Sequence, residues 1–199
     1  MKWHQFISAL LHPIVMPTIG MLLYFVLSPL NINYTQRYTL LCIVFIATYL
    51  IPALMLLLLK TIGHIKSYQV ISIEERKVPL FLMMLLFFLL GRAFYNIYII
   101  RDISYLFYGT TLALSVVYIF FFAKIKISLH LLSMGISIGY FLILSFLYHI
   151  YMLPFVLIFT LLSGLLASSR LYLKAHTSKE VYLGFLIGII SELIIFSIL

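Results

Sequence analysis

Apolar runs of about 20 residues recur along the whole chain and are separated by short polar segments. A run of that length matches one crossing of the hydrocarbon core of a membrane. Because lipid offers no partners to backbone polar groups, such runs predict helices. Only 9% of the 199 residues are charged and 65% are hydrophobic, which is too little polar surface for a domain in water. The pattern predicts an all-α, polytopic membrane helix bundle.

Seven of these runs are candidate spans. They cover residues 6–29, 39–59, 79–100, 104–123, 129–149, 151–168 and 181–198. We therefore expect about six to seven transmembrane helices in a single integral membrane domain, residues 1–199. Within that domain the sequence predicts an N-terminal helix pair over residues 1–59. Pro79 is predicted to begin the third span, since proline is favoured in the first turn of a helix.

The polar residues concentrate in three segments, 60–78, 124–130 and 169–180. Each follows an even-numbered predicted span, so all three are expected on one membrane face, together with the N-terminus. That face carries ten of the Lys and Arg side chains, and the other face carries Arg37 and Arg101. Lys and Arg are in excess on the cytoplasmic side of membrane proteins. The bias predicts a protein of the bacterial cytoplasmic membrane whose polar segments face the cytoplasm.

The segment 169–180, SRLYLKAHTSKE, contains an arginine, a histidine and a glutamate at short spacing. The guanidinium of Arg170 presents a fork of donors that matches phosphate oxygens. His176 is a residue type that serves as a nucleophile or as an acid and base near neutral pH. Glu180 follows His176 by four residues, so on a helix its carboxylate can fix the tautomer of the ring. Residues 177–180 also match a capping box, and both roles of Glu180 stay open.

The other two segments supply further candidates for the same site. Ser128 and His130 begin the fifth predicted span beside Lys126. A helix N-terminus attracts phosphate, and a protonated imidazole there can protonate a leaving oxygen. Ser128 also suits the purely structural role of a helix cap. Arg76 offers another cation for the same phosphate, or belongs to an ordinary charged loop. Arg170, like Lys174 and Lys179, also suits the structural role of a side chain that reaches lipid headgroups.

The spacing in the last segment resembles the third motif of the type 2 phosphatidic acid phosphatase (PAP2) superfamily. That motif has Ser-Arg, five residues, His, three residues and Asp. Ser169, Arg170 and His176 match it, and Glu180 stands at the position of the aspartate. The sequence is therefore identified as resembling a divergent member of that superfamily.

Two weaker matches occur upstream and in the same order as in the superfamily. The segment 127–130, ISLH, resembles the second motif, Pro-Ser-Gly-His, at its serine and histidine. The segment 74–79, EERKVP, resembles the end of the first motif, a lysine followed after six residues by Arg-Pro, with Gln69 at the position of the lysine. The resemblance covers about residues 69–190, which are expected to form a PAP2-like core.

The resemblance implies hydrolysis of a lipid phosphate ester through a phosphohistidine. His176 would attack phosphorus, Glu180 would orient its ring, and His130 would protonate the leaving alcohol and then activate water. The implied ligands of the phosphate oxygens are Arg170, Arg76, Ser128 and Lys126. No cofactor and no metal are expected, because cations neutralise the developing charge and the chain has few carboxylates for a magnesium ion. The implied partner is a phospholipid or polyprenyl phosphate, and PAP2-like enzymes usually act on the side away from the cytoplasm.

The alternative function is a non-catalytic protein on the same fold that binds lipid headgroups or assists membrane assembly. The presence of both His130 and His176 favours the enzyme, since the reaction needs an acid and a nucleophile. No nucleic-acid partner is expected, because Lys and Arg lie at the ends of apolar runs, where they meet lipid phosphates. Arg92 and Glu192 are the charged residues within the predicted spans, too few for an ion pathway. Glu192 is expected to pair with Arg92 or with a buried hydroxyl.

Overall fold

Helices form all the regular secondary structure in the part of the chain described by the computed structural model, residues 2–27, 29, 32–70 and 72–199. A π-helical segment, Ile46–Leu50, and a 3₁₀ turn, Tyr98–Ile100, accompany the α-helices. The predicted all-α architecture is confirmed. The α-helices are α1 (Lys2–Leu10), α2 (Met16–Leu27), α3 (Tyr34–Phe45), α4 (Ile51–Thr61), α5 (Ile73–Tyr95), α6 (Ile103–Phe122), α7 (Leu129–Tyr148), α8 (Leu153–Tyr172) and α9 (Ser178–Ile198).

Six helical segments of the described chain are long and apolar enough to cross a membrane. One is the continuous helix Tyr34–Thr61, which comprises α3, the π-helical segment and α4, and the others are α5 to α9. Helix α2 is apolar but has 12 residues. The prediction of a polytopic membrane bundle is confirmed, and the protein is an integral membrane protein.

The first predicted span, 6–29, is not one helix. Helix α1 ends at Leu10 and α2 begins at Met16. Pro13 lies in the turn between them and Pro17 lies in the first turn of α2. Because proline lacks a backbone N–H and its ring clashes with the preceding turn, a helix that starts upstream ends before Pro13. Helix α1 is therefore a separate short helix, and it packs along α8.

The helix α5 begins earlier than the sequence suggested. The hydroxyl of Ser72 accepts a hydrogen bond from the N–H of Glu75 at 3.2 Å, and Oε2 of Glu75 accepts one from the N–H of Ser72 at 3.4 Å. This capping box starts the helix at Ile73. The prediction that Pro79 begins it is wrong, since Pro79 lies within α5, where it removes one backbone hydrogen bond. The earlier start places Arg76 in the first turns of the helix.

The long helix over residues 34–61 changes its winding at the π-helical segment. Pro52 follows this segment and has no N–H to donate to the carbonyl of Thr48. One turn before Pro52, the hydroxyl of Thr48 donates to the carbonyl of Val44 at 2.9 Å. Proline and π-helical turns are common causes of a local bend in a helix. Thr48 and Pro52 both line the cavity described below.

Helices α7 and α9 pack backbone against backbone in the centre of the bundle. A Cβ atom at Gly135 of α7 would collide with the carbonyl oxygen of Phe185, and one at Gly188 of α9 would collide with a carbonyl oxygen of α7. Nearer the start of both helices, a Cβ atom at Gly184 would lie 2.6 Å from the carbonyl oxygen of Ser128. Small residues permit this close packing between membrane helices. It brings the first turn of α9 beside the segment that precedes α7.

Glu192 lies deep in the bundle on α9. Its side chain is fully buried, and neither carboxyl oxygen has a hydrogen-bond partner among the described residues. The expectation that it pairs with Arg92 or a hydroxyl is wrong, and Arg92 donates to Asn96 at 3.4 Å. Gly109 of α6 and Gly139 of α7 make room for the glutamate, because a Cβ atom at either position would collide with its side chain.

Successive long helices alternate in direction, which separates the loops into two groups. Residues 2–15, 62–70, 72, 123–128 and 173–177 lie at one end of the bundle, here called the polar end. At the opposite end, Asp102 accepts hydrogen bonds from the hydroxyls of Tyr24 at 3.0 Å and Tyr148 at 2.9 Å. Burial raises the pKa of Asp102, and the two hydroxyls oppose that effect. These bonds tie α2, α6 and α7 together at the opposite end.

Candidate active site

His176 lies at the polar end, directly before the N-cap residue of α9. Thr177 and Glu180 form a capping box, in which Oε2 of Glu180 accepts from the N–H of Thr177 at 2.9 Å. Nδ1 of His176 lies 3.0 Å from the carbonyl oxygen of Lys126 and 3.3 Å from Oε2 of Glu180. Both neighbours are acceptors, so Nδ1 carries the hydrogen and the neutral ring keeps a lone pair on Nε2. Glu180 caps the helix and contacts the histidine at the same time.

The segment before α7 is held against the first turn of α9 by two backbone amides. The N–H of Lys126 donates to Oε1 of Glu180 at 3.2 Å, and the N–H of Ser128 donates to the carbonyl of Glu180 at 3.1 Å. Ser128 is the N-cap residue of α7, but its hydroxyl makes no capping hydrogen bond. That hydroxyl is buried and has no partner among the described residues. The amides, rather than the hydroxyl, therefore anchor this segment.

Two arginines reach the site from the ends of different helices. Arg170, in the last turn of α8, donates from Nη1 to the hydroxyl of Ser8 at 2.8 Å. Its Nε is buried and has no hydrogen-bond partner among the described residues. Arg76 of α5 donates from Nε to the carbonyl of Val70 at 2.8 Å, which fixes the direction of its side chain. Both guanidinium groups line the same cavity and have N–H donors left for a ligand.

His130, the second residue of α7, contacts the N-terminal part of the chain. Its Nε2 lies 3.1 Å from the carbonyl oxygen of Ser8 and 3.4 Å from the hydroxyl of the same residue. A carbonyl only accepts, so Nε2 carries the hydrogen and the neutral ring has its lone pair on Nδ1. The ring of His12 stands edge-on to that of His130, with centroids 5.0 Å apart. Helix α1 and the turn after it therefore form one side of the site.

Positive charge is in excess at the polar end. Burial, aided by the charges of Arg170 and Arg76, lowers the pKa of His176 to about 4. Lys126 adds to this effect and Glu180 opposes it. Burial and then the charge of Arg76 lower the pKa of Lys126 itself. His176 is therefore neutral at pH 7, and an anion would relieve the repulsion among the cations. In the described chain no group of three or more His, Cys, Asp or Glu side chains could hold a metal ion.

A cavity of about 240 Å³ begins at these side chains and continues between the helices. Deeper in the bundle its walls are mostly apolar and come from α2, α4, α5, α6 and α7. On α5 the lining extends from Arg76 to Phe87, which is about 16 Å along the helix axis. The cavity therefore joins a cationic end to an apolar body. The arginine and histidine side chains that line it are His12, Arg76, His130, Arg170 and His176.

The structure brings together most of the residues that the sequence singled out. Four predicted site residues line the cavity, and two more, Glu180 and Lys126, lie behind the ring of His176 and hold it through a carboxylate and a carbonyl. Ser128 is the exception, because its side chain is fully buried outside the cavity lining. Its predicted contact with phosphate does not fit this placement. The four cavity residues are Arg76, His130, Arg170 and His176.

Sequence reasoning missed the contribution of the N-terminal segment. Ser8 contacts two predicted site residues, His12 lines the cavity, and Nδ1 of His4 lies 3.2 Å from the hydroxyl of Ser169. His4, Ser8 and His12 recur at intervals of four, which places His4 and Ser8 on one face of α1. The sequence thus contains an amphipathic pattern, but most of this pattern lies inside the apolar run 6–29, which predicts a single span. The apolar side chains exposed on the rest of α1 are Trp3, Phe6 and Leu10.

The chain was also compared with known proteins. No family model, no characterised protein and no solved structure matches it. The side chains of the polar end, and the motifs that they form, carry the functional proposal that follows.

Proposed function

We propose that this protein is a membrane lipid phosphatase that hydrolyses a phosphate ester through a phosphohistidine intermediate without a metal. The observation that carries the proposal is the environment of His176. Its ring is neutral, its Nδ1–H is held by a carbonyl and a carboxylate, and its other nitrogen is left with a lone pair beside two arginines. A neutral imidazole held in one tautomer is an activated nucleophile.

The phosphate binds between the two arginines. Arg170 contributes the guanidinium N–H groups that Ser8 does not hold, and Arg76 contributes the terminal nitrogens of a guanidinium fixed through its own Nε. Two guanidinium groups from different helices can bind several phosphate oxygens at once and stabilise the charge that spreads over them in the transition state. Lys126 adds a third positive charge nearby. Three cations face one carboxylate, Glu180, which suits a dianionic ligand.

The reaction has two steps. Nε2 of His176 attacks phosphorus, a P–N bond forms, and the P–O bond to the lipid breaks. The negative charge of the bound phosphate favours uptake of a proton from solvent at Nδ1 of the neutral His130 ring, whose Nε2–H stays on the carbonyl of Ser8, and Nδ1 then gives that proton to the departing alcohol oxygen. Water then attacks the phosphohistidine and loses a proton to His130. The P–N bond breaks, inorganic phosphate leaves, His176 regains its lone pair, and His130 returns its extra proton to solvent.

The shape of the cavity supports a lipid as the substrate. Its cationic end lies at the polar end of the bundle, and its apolar body follows α5 for about 16 Å into the membrane-spanning region. A lipid phosphate places a charged head at the membrane surface and a hydrocarbon chain below it, which matches both parts. A water-soluble phosphate ester would leave the apolar body unfilled.

Phosphate release from purified protein tests the proposal. Wild-type protein is given phosphatidic acid, phosphatidylglycerophosphate and polyprenyl phosphates with a chelator present. We expect release from at least one of them, and we expect His176→Ala to abolish it, since no other group replaces the nucleophile. The matched control is His64→Ala, because His64 is an exposed histidine in the loop before α5 and lies outside the cavity lining.

Two results would contradict the proposal. One is release by His176→Ala at the wild-type rate, and the other is the absence of release from every lipid in the panel. Tight binding of the same lipids without release would favour the non-catalytic headgroup-binding protein instead. Retained release in the presence of chelator is also expected, because the charge is neutralised by side chains.

The polar end faces the cytoplasm in this proposal, because it carries most of the Lys and Arg side chains. Cysteine labelling tests the side. In a Cys42→Ser background, one cysteine replaces His64 at the polar end and another, in a separate variant, replaces Tyr98 at the opposite end. Both positions are exposed. A membrane-impermeant thiol reagent should label Tyr98→Cys in intact cells and His64→Cys after permeabilisation, and the reverse pattern would place the site on the outside.

A further inference from the structure

We infer that the N-terminal helix α1 is part of the reaction machinery and that Ser8 is its positioning residue, which orients His130 and Arg170 from outside the cavity. This inference rests on the proposed function, since it assigns Ser8 a role in the same reaction. Ser8 precedes the region that resembles the PAP2 motifs, and it is buried.

Ser8 holds His130 in the same way that the polar end holds His176. One ring nitrogen of each histidine donates to a backbone carbonyl: His176 to that of Lys126 at 3.0 Å, and His130 to that of Ser8 at 3.1 Å. Such a hydrogen bond fixes the tautomer and the direction of the ring. The remaining nitrogens, Nε2 of His176 and Nδ1 of His130, are then the two atoms available for the reaction.

The carbonyl of Ser8 is available because it lies in the last turn of α1. The last four carbonyls of a helix have no N–H partner within the helix. Helix α1 ends at Leu10, so the carbonyl of Ser8 is one of these groups. His130 satisfies it from α7, and the contact therefore stabilises the helix end while it orients the ring.

The hydroxyl of Ser8 performs a second task on Arg170. It accepts from Nη1 at 2.8 Å, which fixes one edge of the guanidinium and leaves the Nε unpartnered. A guanidinium is planar, so fixing one nitrogen sets the direction of the other donors. Ser128, the serine that the sequence suggested for this region, is buried outside the cavity lining.

Ser8 supports these side chains and does not fill the cavity. The cavity is lined by His130, Arg170 and His12, but Ser8 is not part of its lining. The substrate phosphate and Ser8 can therefore contact Arg170 at the same time. This arrangement distinguishes a supporting helix from an inhibitory plug, which would occupy the ligand position itself.

Several contacts keep α1 in place against α8. Its His4 ring stacks on Tyr172 with centroids 4.1 Å apart, and it also contacts the hydroxyl of Ser169. The outer face of α1 is apolar, which suits a helix that lies at the membrane surface. The side chains on that face are Trp3, Phe6 and Leu10.

Enzyme kinetics of full-length variants test the role of the hydroxyl. Ser8→Ala removes the acceptor of Arg170 and keeps the backbone carbonyl. We expect KM for the lipid phosphate to rise about tenfold and kcat to change less than about threefold, because a weakened contact to a charged donor loosens phosphate binding. Ser8→Thr restores the hydroxyl and should restore KM to within about twofold. Gln5→Ala, on the exposed part of α1, is the matched control and should behave as wild type.

The role of the carbonyl is tested without any turnover. ¹⁵N NMR of histidine-labelled wild-type protein, with His130 assigned from His130→Gln, reports which ring nitrogen carries the hydrogen. The inference requires the Nε2–H tautomer of His130 at neutral pH. The Nδ1–H tautomer would overturn it, as would equal KM values for wild type and Ser8→Ala. If wild type releases no phosphate from any lipid, the proposed function fails, and the tautomer still decides whether Ser8 holds His130.

Discussion

Helix α9 carries two glutamates whose surroundings are opposite. Glu180, in the first turn, accepts hydrogen bonds from the amides of Thr177 and Lys126 and contacts the ring of His176. Glu192, about 18 Å further along the helix, is fully buried and has no hydrogen-bond partner among the described residues. Glu180 thus belongs to a hydrogen-bonded group of polar residues, whereas Glu192 is packed between helices without a hydrogen-bond partner among the described residues.

The contrast shows that burial of an ionisable group is not by itself a sign of a site. An ionisable residue within a membrane span is commonly functional, and an unpartnered polar group is costly to bury. Glu192 nevertheless lies outside the cavity lining, in a space left by Gly109 and Gly139. Glu180 is half-buried, but it orients the candidate nucleophile. We expect the chemistry to depend on Glu180 and not on Glu192.

The largest expected effect is at Arg170, which lies in the candidate site together with Glu180. Arg170→Lys keeps the charge but loses the fork of donors, one arm of which contacts Ser8. We expect kcat/KM for phosphate release to fall about 100-fold, the usual result of losing one donor to the transition state. Lys179→Ala, an exposed lysine in the first turn of α9, is the control and should stay within about twofold. Equal rates for Arg170→Lys and wild type would exclude Arg170 from the site.

The next largest effect concerns the packing of α7 against α9, the helix that carries both glutamates. Gly135→Ala puts a Cβ atom against the carbonyl oxygen of Phe185 and forces α7 and α9 apart. We expect the free energy of unfolding to fall by about 1–3 kcal/mol, measured by denaturation in detergent. Gly164→Ala on α8 meets no atom within 4 Å and should be neutral or stabilising by up to about 1 kcal/mol. Equal stabilities for the two variants would show that the α7–α9 contact tolerates a wider spacing.

Substitution of each glutamate by glutamine tests the difference between Glu180 and Glu192. Glu180→Gln keeps the helix cap, since glutamine also serves in a capping box, but replaces the carboxylate beside His176 by a neutral amide. We expect phosphate release to fall about tenfold, because the ring is oriented less firmly. Glu192→Gln makes the same substitution and keeps nearly the same shape, and it should stay within about twofold. A large loss of activity in Glu192→Gln with unchanged folding would break the comparison.

The smallest effect is a shift in titration. The pKa of His176 is lowered to about 4, in part by the charge of Lys126, so the ring is neutral from pH 7 down to about pH 5. Lys126→Met removes that charge and keeps the backbone carbonyl that holds Nδ1. The pKa of His176 should therefore rise towards its ordinary value, and activity should begin to fall at a higher pH. An NMR titration of the ring measures the shift, with the exposed Lys124→Met as control. A pKa that stays unchanged or falls would contradict the electrostatic account.

Much of the fold could be predicted from the sequence, because an apolar run long enough to cross a membrane forms a helix there. Runs of apolar residues specify helices, and alternation of direction assigns polar segments to one face. That reasoning correctly brought His130, Arg170 and His176 to the polar end. The spacing of His176 and Glu180 predicted a contact on a shared helix face. The contact is present, but His176 lies before the N-cap residue of α9, and it meets Glu180 through the side chain that forms the capping box.

Features that depend on packing were not predictable. The separation of α1 from α2 follows from Pro13, but its position along α8 and its contact with His130 depend on tertiary structure. The placement of Ser128 depends on backbone amides, its own and that of Lys126, which bind Glu180 of another helix. The isolation of Glu192 follows from glycines on two other helices. No local pattern encodes contacts of this kind.

The distance in sequence between the parts of the site has a consequence for biosynthesis. Ser8 belongs to α1, whereas His176 and Glu180 belong to the turn and helix that follow α8. Lys126 holds His176 only when α9 has inserted beside α7. Because synthesis proceeds from the N-terminus, Arg76 and Lys126 reach the membrane before His176 does. The candidate site is therefore incomplete until α9 has inserted, and a chain arrested before α9 would lack the proposed nucleophile.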